Sequence, residues 1–245
     1  MLPQPNLCIH TRKGLPVNLY RCVVRLFLLF AVPLSAQTVV NSGVPGENSA
    51  DILKRTPSVL QANMPAVVVV FAGMNDAAND KKFLTAEQTQ ANVLAMVTDI
   101  EGAGAVPVLV TVHYPDEVRL MARHEPKVYG DKLPAARVDA VNAALETVAR
   151  EQHVALAGFH DALRLAGGAN TALSTDGVHM TAAGYALLAK TVFAALPVGA
   201  RAGTVVCLGD SLTYGIGVRE NGAAEGEETY PAQLRNLLRP EVARR

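Results

Sequence analysis

The 245-residue chain has no tryptophan, three cysteines and only 5% aromatic residues. With so little to stack on sugar rings or unpaired bases, it is poorly equipped as a carbohydrate or single-strand platform. Cys8, Cys22 and Cys207 form no CxxC pair for zinc and are too few for a disulfide framework of the kind small secreted domains need. Acidic residues are missing from the first 36 positions, which carry Arg12, Lys13, Arg21 and Arg25. The neutral total of 22 basic and 22 acidic residues therefore hides a body, residues 37–245, with 18 basic against 22 acidic, a net of −4. Such a body has no basic stripe for a phosphate backbone, which argues against a nucleic acid partner. Long apolar runs are lacking too. The uninterrupted stretch from Leu26 to Leu34 falls short of the roughly 20 apolar residues that span a bilayer, so no stable membrane span is expected.

Half of the residues are apolar, enough for one sizeable core. The basic residues of the front segment precede the apolar stretch Val23 to Ala36, which ends on the small pair Ser35-Ala36. That order is the pattern of a secretory signal peptide, with export to the periplasm or the extracellular space as its consequence. The alternative is a disordered leader on a cytoplasmic protein. Either way residues 37–245 are expected to form a single domain. Cys207, in the run TVVCLG, reads as a buried core residue.

Past the leader, strand and helix patterns alternate. Val67 to Ala72 is a continuous β-branched run bounded by Pro65 and Gly73, the pattern of a strand buried on both faces. Similar runs occur at Pro107 to His113, Val154 to Gly158, Thr204 to Leu208 and, briefly, Thr38 to Val40. Between and after them the spacing predicts helices over Ser49 to Asn63, Thr85 to Ala103, Pro134 to Gln152, Ala182 to Leu196 and Tyr230 to Leu238. Thr85 with Gln88 has the spacing of a capping box, and Pro231 suits a first helical turn. This alternation implies right-handed crossovers and one parallel sheet covered on both sides. The polar stretch Tyr114 to Leu133 reads as an ordinary surface loop rather than a lid.

In such sheets chemistry gathers at the carboxyl ends of the strands, and four segments fall there. Gly209-Asp210-Ser211-Leu212-Thr213 follows a strand, in a small-residue turn that can expose the serine hydroxyl as a nucleophile. It is neither the GxSxG elbow nor a dinucleotide-binding glycine fingerprint. Asp176 and His179, three apart before a helix, can share a cleft, with the carboxylate orienting the imidazole. Asn75 follows the strand VVVVFA, where its side-chain amide can donate to a developing oxyanion. Asn41 to Glu47 contains Gly46, where a backbone N–H can approach a ligand closely. Each segment alone also has an ordinary structural reading, as a turn or a helix cap.

Together the four resemble the SGNH, or GDSL, hydrolases. GDSLT matches the nucleophile motif around Ser211, NSGVPGEN the glycine segment with Gly46, GMND the segment with Asn75, and DGVHMTAAGY the segment with Asp176 and His179. The resemblance covers about residues 38–240. It implies a flavodoxin-like three-layer α/β/α fold with a five-stranded parallel sheet. It further implies Ser211, His179 and Asp176 as catalytic residues, with the Ser211 and Gly46 backbone N–H groups and the Asn75 amide as oxyanion hole. The implied activity is hydrolysis of short- or medium-chain acyl esters through an acyl-enzyme, as in an esterase, lysophospholipase or thioesterase. A carbohydrate O-acetylesterase is the alternative. An impaired relative acting as a binding protein is disfavoured, because all four signature residues are present. Asp210 and Asp76 are assigned to support of their turns, and His113 is a candidate for the pocket wall. His124, His153 and His160 are read as structural or surface residues. No cofactor or metal is implied, the partner is a small-molecule ester, and a monomer is expected.

In the family the serine segment comes first, whereas here it comes last, at residues 209–213. The chain thus looks circularly permuted, cut between the helix Tyr230 to Leu238 and the strand that opens at Thr38, with residues 197–203 as the bridge. Permutation is tolerated where a cut falls in an exposed loop and the ends lie close together. The predicted sheet order, by chain position, is 1-5-2-3-4.

Overall fold

Five short runs of apolar, mostly β-branched residues build the sheet: β1 (Val39–Gly43), β2 (Val67–Phe71), β3 (Val106–Val110), β4 (Ala155–Ala157) and β5 (Val205–Gly209). A computed structural model of the chain describes residues 38–130, 133–198, 203–220 and 222–239, all within one unit, Ser35–Arg245. The expected signal segment, residues 1–36, and most of the expected bridge, residues 199–202, lie outside the described residues. All strand pairs are parallel, as the alternation predicts, and the order is β1-β5-β2-β3-β4, as the family resemblance read with its serine segment last implies. Every residue of β2 and β5 is buried. Strands in the middle of a parallel sheet are covered on both faces, which is why they are uninterrupted apolar runs rather than alternating ones.

The helices are α1 (Ser49–Asn63), α2 (Met74–Ala78), α3 (Ala86–Gly102), α4 (Glu117–Met121) and α5 (Pro134–Glu151). They continue with α6 (Phe159–Leu165), α7 (Ala182–Ala195), α8 (Ser211–Tyr214) and α9 (Tyr230–Leu238). Their starts are chemically marked. Asn48 and Asp51 form a capping box on α1, Thr85 and Gln88 form the expected one on α3, and Thr181 and Thr229 cap α7 and α9. None of the described helices is long and apolar enough to cross a membrane.

The steps β1 to β2, β2 to β3 and β3 to β4 run in one direction, so right-handed crossovers lay α1, α3 and α5 on one face, packed side by side. The return from β4 to β5 runs the other way and puts α6 and α7 on the opposite face, where α7 packs against α9. Phe71 of β2 meets Phe159 of α6 and Tyr230 of α9 edge-on, with centroids 5.9 Å and 6.4 Å away, which joins that helix layer to the sheet. β2 sends its chain to one face and β5 to the other. Their shared carboxyl end is the point where such a sheet opens a crevice.

The structure differs from the sequence reading in four places, the first being that β3 ends at Val110 and does not reach His113. β1 runs on through Asn41-Ser42 to Gly43, because pairing with β5 holds it extended as far as the Gly43–Gly209 register. The short helices α2, α4, α6 and α8 were not predicted. Tyr114 to Leu133 is not a plain loop: it holds α4 and a 3₁₀ turn, Pro126–Tyr129, and forms part of the site wall.

Candidate active site

Ser211 sits at the first position of α8, immediately beyond β5, so the strand delivers it to the carboxyl edge of the sheet. The turn closes through Asp210, whose carboxylate accepts the Leu212 N–H at 2.9 Å as the helix cap. Space for it comes from two glycines. A Cβ on Gly43 would lie 2.1 Å from the Tyr214 nitrogen, and one on Gly209 would lie 2.4 Å from the Phe71 carbonyl oxygen. Arg55 of α1 ties the ends of β1 and β5 together by donating to the Ser42 and Gly209 carbonyls, each at 2.9 Å, while it pairs with Glu47 at 2.6 Å.

His179 reaches the same place from the loop before α7. Its Nε2 lies 2.9 Å from Ser211 Oγ and its Nδ1 lies 2.8 Å from Asp176 Oδ2. The loop is held by its own bonds: Asp176 Oδ1 accepts the Val178 and His179 N–H groups at 2.9 and 2.8 Å, and Ser174 Oγ donates to the His179 carbonyl at 2.8 Å. Burial alone would push the Asp176 carboxyl up. Hydrogen bonds and charge from His179, with a hydrogen bond from Arg123, outweigh it and hold Asp176 well below the usual carboxylate range. An ionised Asp176 fixes the Nδ1 proton on its own side and leaves the Nε2 lone pair facing Ser211.

Asn75 enters from α2, which starts at Gly73 in the left-handed region (φ 116°) and turns the chain sharply off β2. Its Nδ2 donates to the Glu47 carbonyl at 2.9 Å and to Asp210 Oδ2 at 3.1 Å, and Asn79 donates to its Oδ1 at 2.9 Å. Next to it, buried Asp76 accepts from the Ser49 N–H at 2.9 Å, from the Ser49 hydroxyl and from the Thr89 hydroxyl at 2.9 Å, which anchors the loop as expected. Burial pushes Asp76 upward and pushes Asp210 up to about 7.

A cavity of 230 Å³ opens beside Ser211, His179 and Asn75. Met74, Ala78, Leu120 and Val178 give it apolar wall, and Asn79, Arg123 and His124 give it polar wall. Gly46 is not in that wall. It lies in the turn after β1 with φ 80° and lines a neighbouring stretch of surface with Glu47 and Arg55, linked to Asn75 through the Glu47 carbonyl. His113 does not line that cavity either: it is fully buried behind Val178, beside a void of 40 Å³ that it shares with His160. Burial pushes its imidazole down to about 3, so it is neutral. Among the described residues no three His, Cys, Asp or Glu side chains are grouped to hold a metal ion.

Ala78 and Asn79, just past the GMND string, and Leu120, Arg123 and His124 are the wall residues that motif reasoning missed, the last three from a segment with no motif at all. Those three carry no spacing signal, and their only local mark is Asp116, which caps α4 by accepting the Arg119 N–H. His124 points Nδ1 at Asp80, 3.2 Å away, and Arg123 pairs with Asp176.

Comparison with known proteins identifies the family. A model of the GDSL-like lipase/acylhydrolase family matches residues 23–187, a span that holds Gly46, Asn75, Asp176 and His179 and stops short of Ser211. Esterase TesA of Pseudomonas aeruginosa is 27% identical over 158 residues, covering 64% of this chain and 69% of that protein. The crystal structure of the lipase/acylhydrolase from Enterococcus faecalis aligns at 25% identity with a TM-score of 0.50, covering 60% of this chain and 69% of that one. A GDSL-like lipase from Bacteroides thetaiotaomicron, at 22% identity and a TM-score of 0.51 over 60% of this chain and 69% of its own, shares the fold. With the family model lying across most of the chain, and the motifs it spans converging beside a strand-end serine, this protein belongs to the GDSL-like lipase/acylhydrolase family.

Proposed function

We propose that the protein is a serine ester hydrolase that acts on short- or medium-chain acyl esters through an acyl-enzyme. The observation that carries this reading is the Ser211–His179–Asp176 chain, with links of 2.9 and 2.8 Å at the mouth of a cavity. As Ser211 Oγ attacks the ester carbonyl, His179 Nε2 takes its proton and Asp176 steadies the imidazolium. The carbonyl oxygen, now negative, is met by the Ser211 N–H, which the first position of a helix leaves without an intrahelical acceptor. The Asn75 amide, in the cavity wall, is assigned as its second donor, and the Gly46 N–H as a third that must move in from the adjoining turn. His179 then protonates the departing alkoxide, the alcohol leaves, and water, deprotonated by His179, releases the acid and restores Ser211.

A cavity of 230 Å³ suits a small acyl group better than a long one. A p-nitrophenyl ester series from acetyl to palmitoyl tests this. Turnover that peaks at the short members and disappears in Ser211→Ala supports the reading, and undiminished hydrolysis by the alanine variant sinks it. Activity restricted to acetyl esters favours the O-acetylesterase alternative.

The reading extends to the order of the chain. We take the protein as a circular permutant, supported by a family match that ends at residue 187 and excludes the serine segment. It is further supported by the packing of α9 against β1, which brings the ends of the cut into one neighbourhood. A rejoined chain, residues 201–245 followed by 37–200, is expected to fold and to label with a fluorophosphonate at Ser211; failure to do either counts against it. Export through residues 1–36 is part of the same proposal. Mass spectrometry of the protein secreted by its host is expected to find a mature amino terminus near Gln37.

A further inference from the structure

Asp176 is held from two sides. Its Oδ2 accepts His179 Nδ1, and the same oxygen accepts Arg123 Nη1, while Arg123 Nη2 donates to the Asp176 carbonyl at 3.1 Å. With the Val178 and His179 N–H groups on Oδ1, four donors occupy a carboxylate that has about four lone-pair sites. Nothing in a triad requires the fourth donor.

The segment that carries Arg123 is itself fastened to the Asp176 turn. The Asp116 N–H donates to the Gly177 carbonyl at 2.8 Å, and Arg119 Nη1 donates to the Ser174 carbonyl at 3.1 Å. Arg119 also pairs with Asp116 at 3.0 Å, which fixes the start of α4. Arg123 therefore arrives from a bonded platform. It is a two-point clamp on one residue, in the geometry a guanidinium holds better than an ammonium.

We propose that Arg123 is a positioning residue for the triad: it locks Asp176 in the orientation that holds His179 Nδ1 and so tunes His179 as a base. The inference rests on the ester-hydrolase reading. Arg123 Nη1 and His179 Nδ1 share Asp176 Oδ2, so removing the guanidinium charge changes what the carboxylate gives to the ring. Other ionisable groups also face this centre. They are Asp210 from the β5–α8 turn, His113 from beyond β3, Tyr185 from α7, and His124 and Arg119 from the α4 segment. The Arg123 side chain is 41% exposed, so its replacement leaves the core intact.

The test compares wild type, Arg123→Met and Arg123→Lys by two readouts. The first is the ring-nitrogen NMR titration of His179, which needs no turnover. The second is the acidic limb of the kcat/KM profile on a short-chain p-nitrophenyl ester. In Arg123→Met both midpoints are expected to move up by about half to one pH unit, and in Arg123→Lys to return most of the way. An unmoved His179 midpoint in Arg123→Met overturns the proposal, as does a raised KM with an unmoved acidic limb, which would make Arg123 a substrate contact. Loss of the ester-hydrolase reading itself shows differently. Wild type would then turn over no ester, while the NMR titration would still report on Arg123.

Discussion

Asn75 gives one amide proton to Asp210 Oδ2 across 3.1 Å and has Glu47 as its second acceptor across 2.9 Å, so both of its donors are engaged at rest. An oxyanion at Ser211 must therefore share one of these protons. The Asp210 bond is the longer, and it ties the residue beside the nucleophile to the amide assigned to the oxyanion.

Asn75→Ala is accordingly expected to lower kcat about 100- to 1,000-fold with little change in KM, since the amide acts mainly as negative charge develops. Steady-state kinetics on a short-chain ester check this. A large rise in KM with kcat preserved would assign Asn75 to ground-state binding instead.

Asp210 predicts a pH dependence of stability. Its folded-state pKa of about 7, set first by burial, lies above the ordinary 3.8. Between roughly pH 4 and 7 the folded protein keeps a proton that the unfolded chain has released, so stability falls as pH rises through that window. Buried Asp76 is shifted in the same direction. Melting curves at pH 5 and pH 8 should show a lower Tm at pH 8 from these groups, and Asp210→Asn should shrink the difference without abolishing it. An undiminished difference in the variant would assign the slope to other groups.

Two glycine substitutions should part in sign. Gly43→Ala would drive a methyl against the Tyr214 backbone nitrogen 2.1 Å away, and backbone cannot yield as a flexible side chain can. The expectation is a loss of about 3 kcal/mol or more, with the nucleophile turn displaced and activity lost beyond the loss of fold. Gly102→Ala, at the end of α3 with open space around it, is expected to gain about 0.4–1 kcal/mol. Denaturant titration of both variants measures the contrast.

Thr85→Ala removes the side-chain cap of α3 on the surface, away from the cavity. It should cost about 1 kcal/mol in the same titration and leave kcat/KM unchanged. A change in kcat/KM would mean that the α3 cap is coupled to the site.

What could be read in the chain depended on how local its cause was. Val67 to Phe71 and Val205 to Leu208 announce buried strands by composition, and Thr85 with Gln88 marks a helix start three residues apart. Helices of a single turn, such as α2 and α8, are too short to show a 3.6-residue period and exist because β2 and β5 deliver them to a packed edge. Asn41 and Ser42 look like loop residues and become strand through a partner more than 160 positions later, Cys207 and Leu208. The site divided in the same way. Ser211, Asn75, Asp176 and His179 stand in recognisable local strings, whereas Leu120, Arg123 and His124 reach the cavity through bonds from Asp116 and Arg119 to Gly177 and Ser174, which no spacing announces.

The position of β5 has a consequence for synthesis. As the chain leaves the ribosome, β1, β2, β3 and β4 emerge first, yet β1 has no hydrogen-bonding neighbour until β5 enters between it and β2. β2, β3 and β4 can pair in turn, while β1 and α1 wait beside an open slot through the whole of α3 to α7. The nascent sheet therefore carries two unsatisfied edges facing one gap, a state open to pairing with other chains. Closure of that gap and arrival of Ser211 are one event, so no truncated product that ends before β5 can hold the nucleophile or a finished sheet.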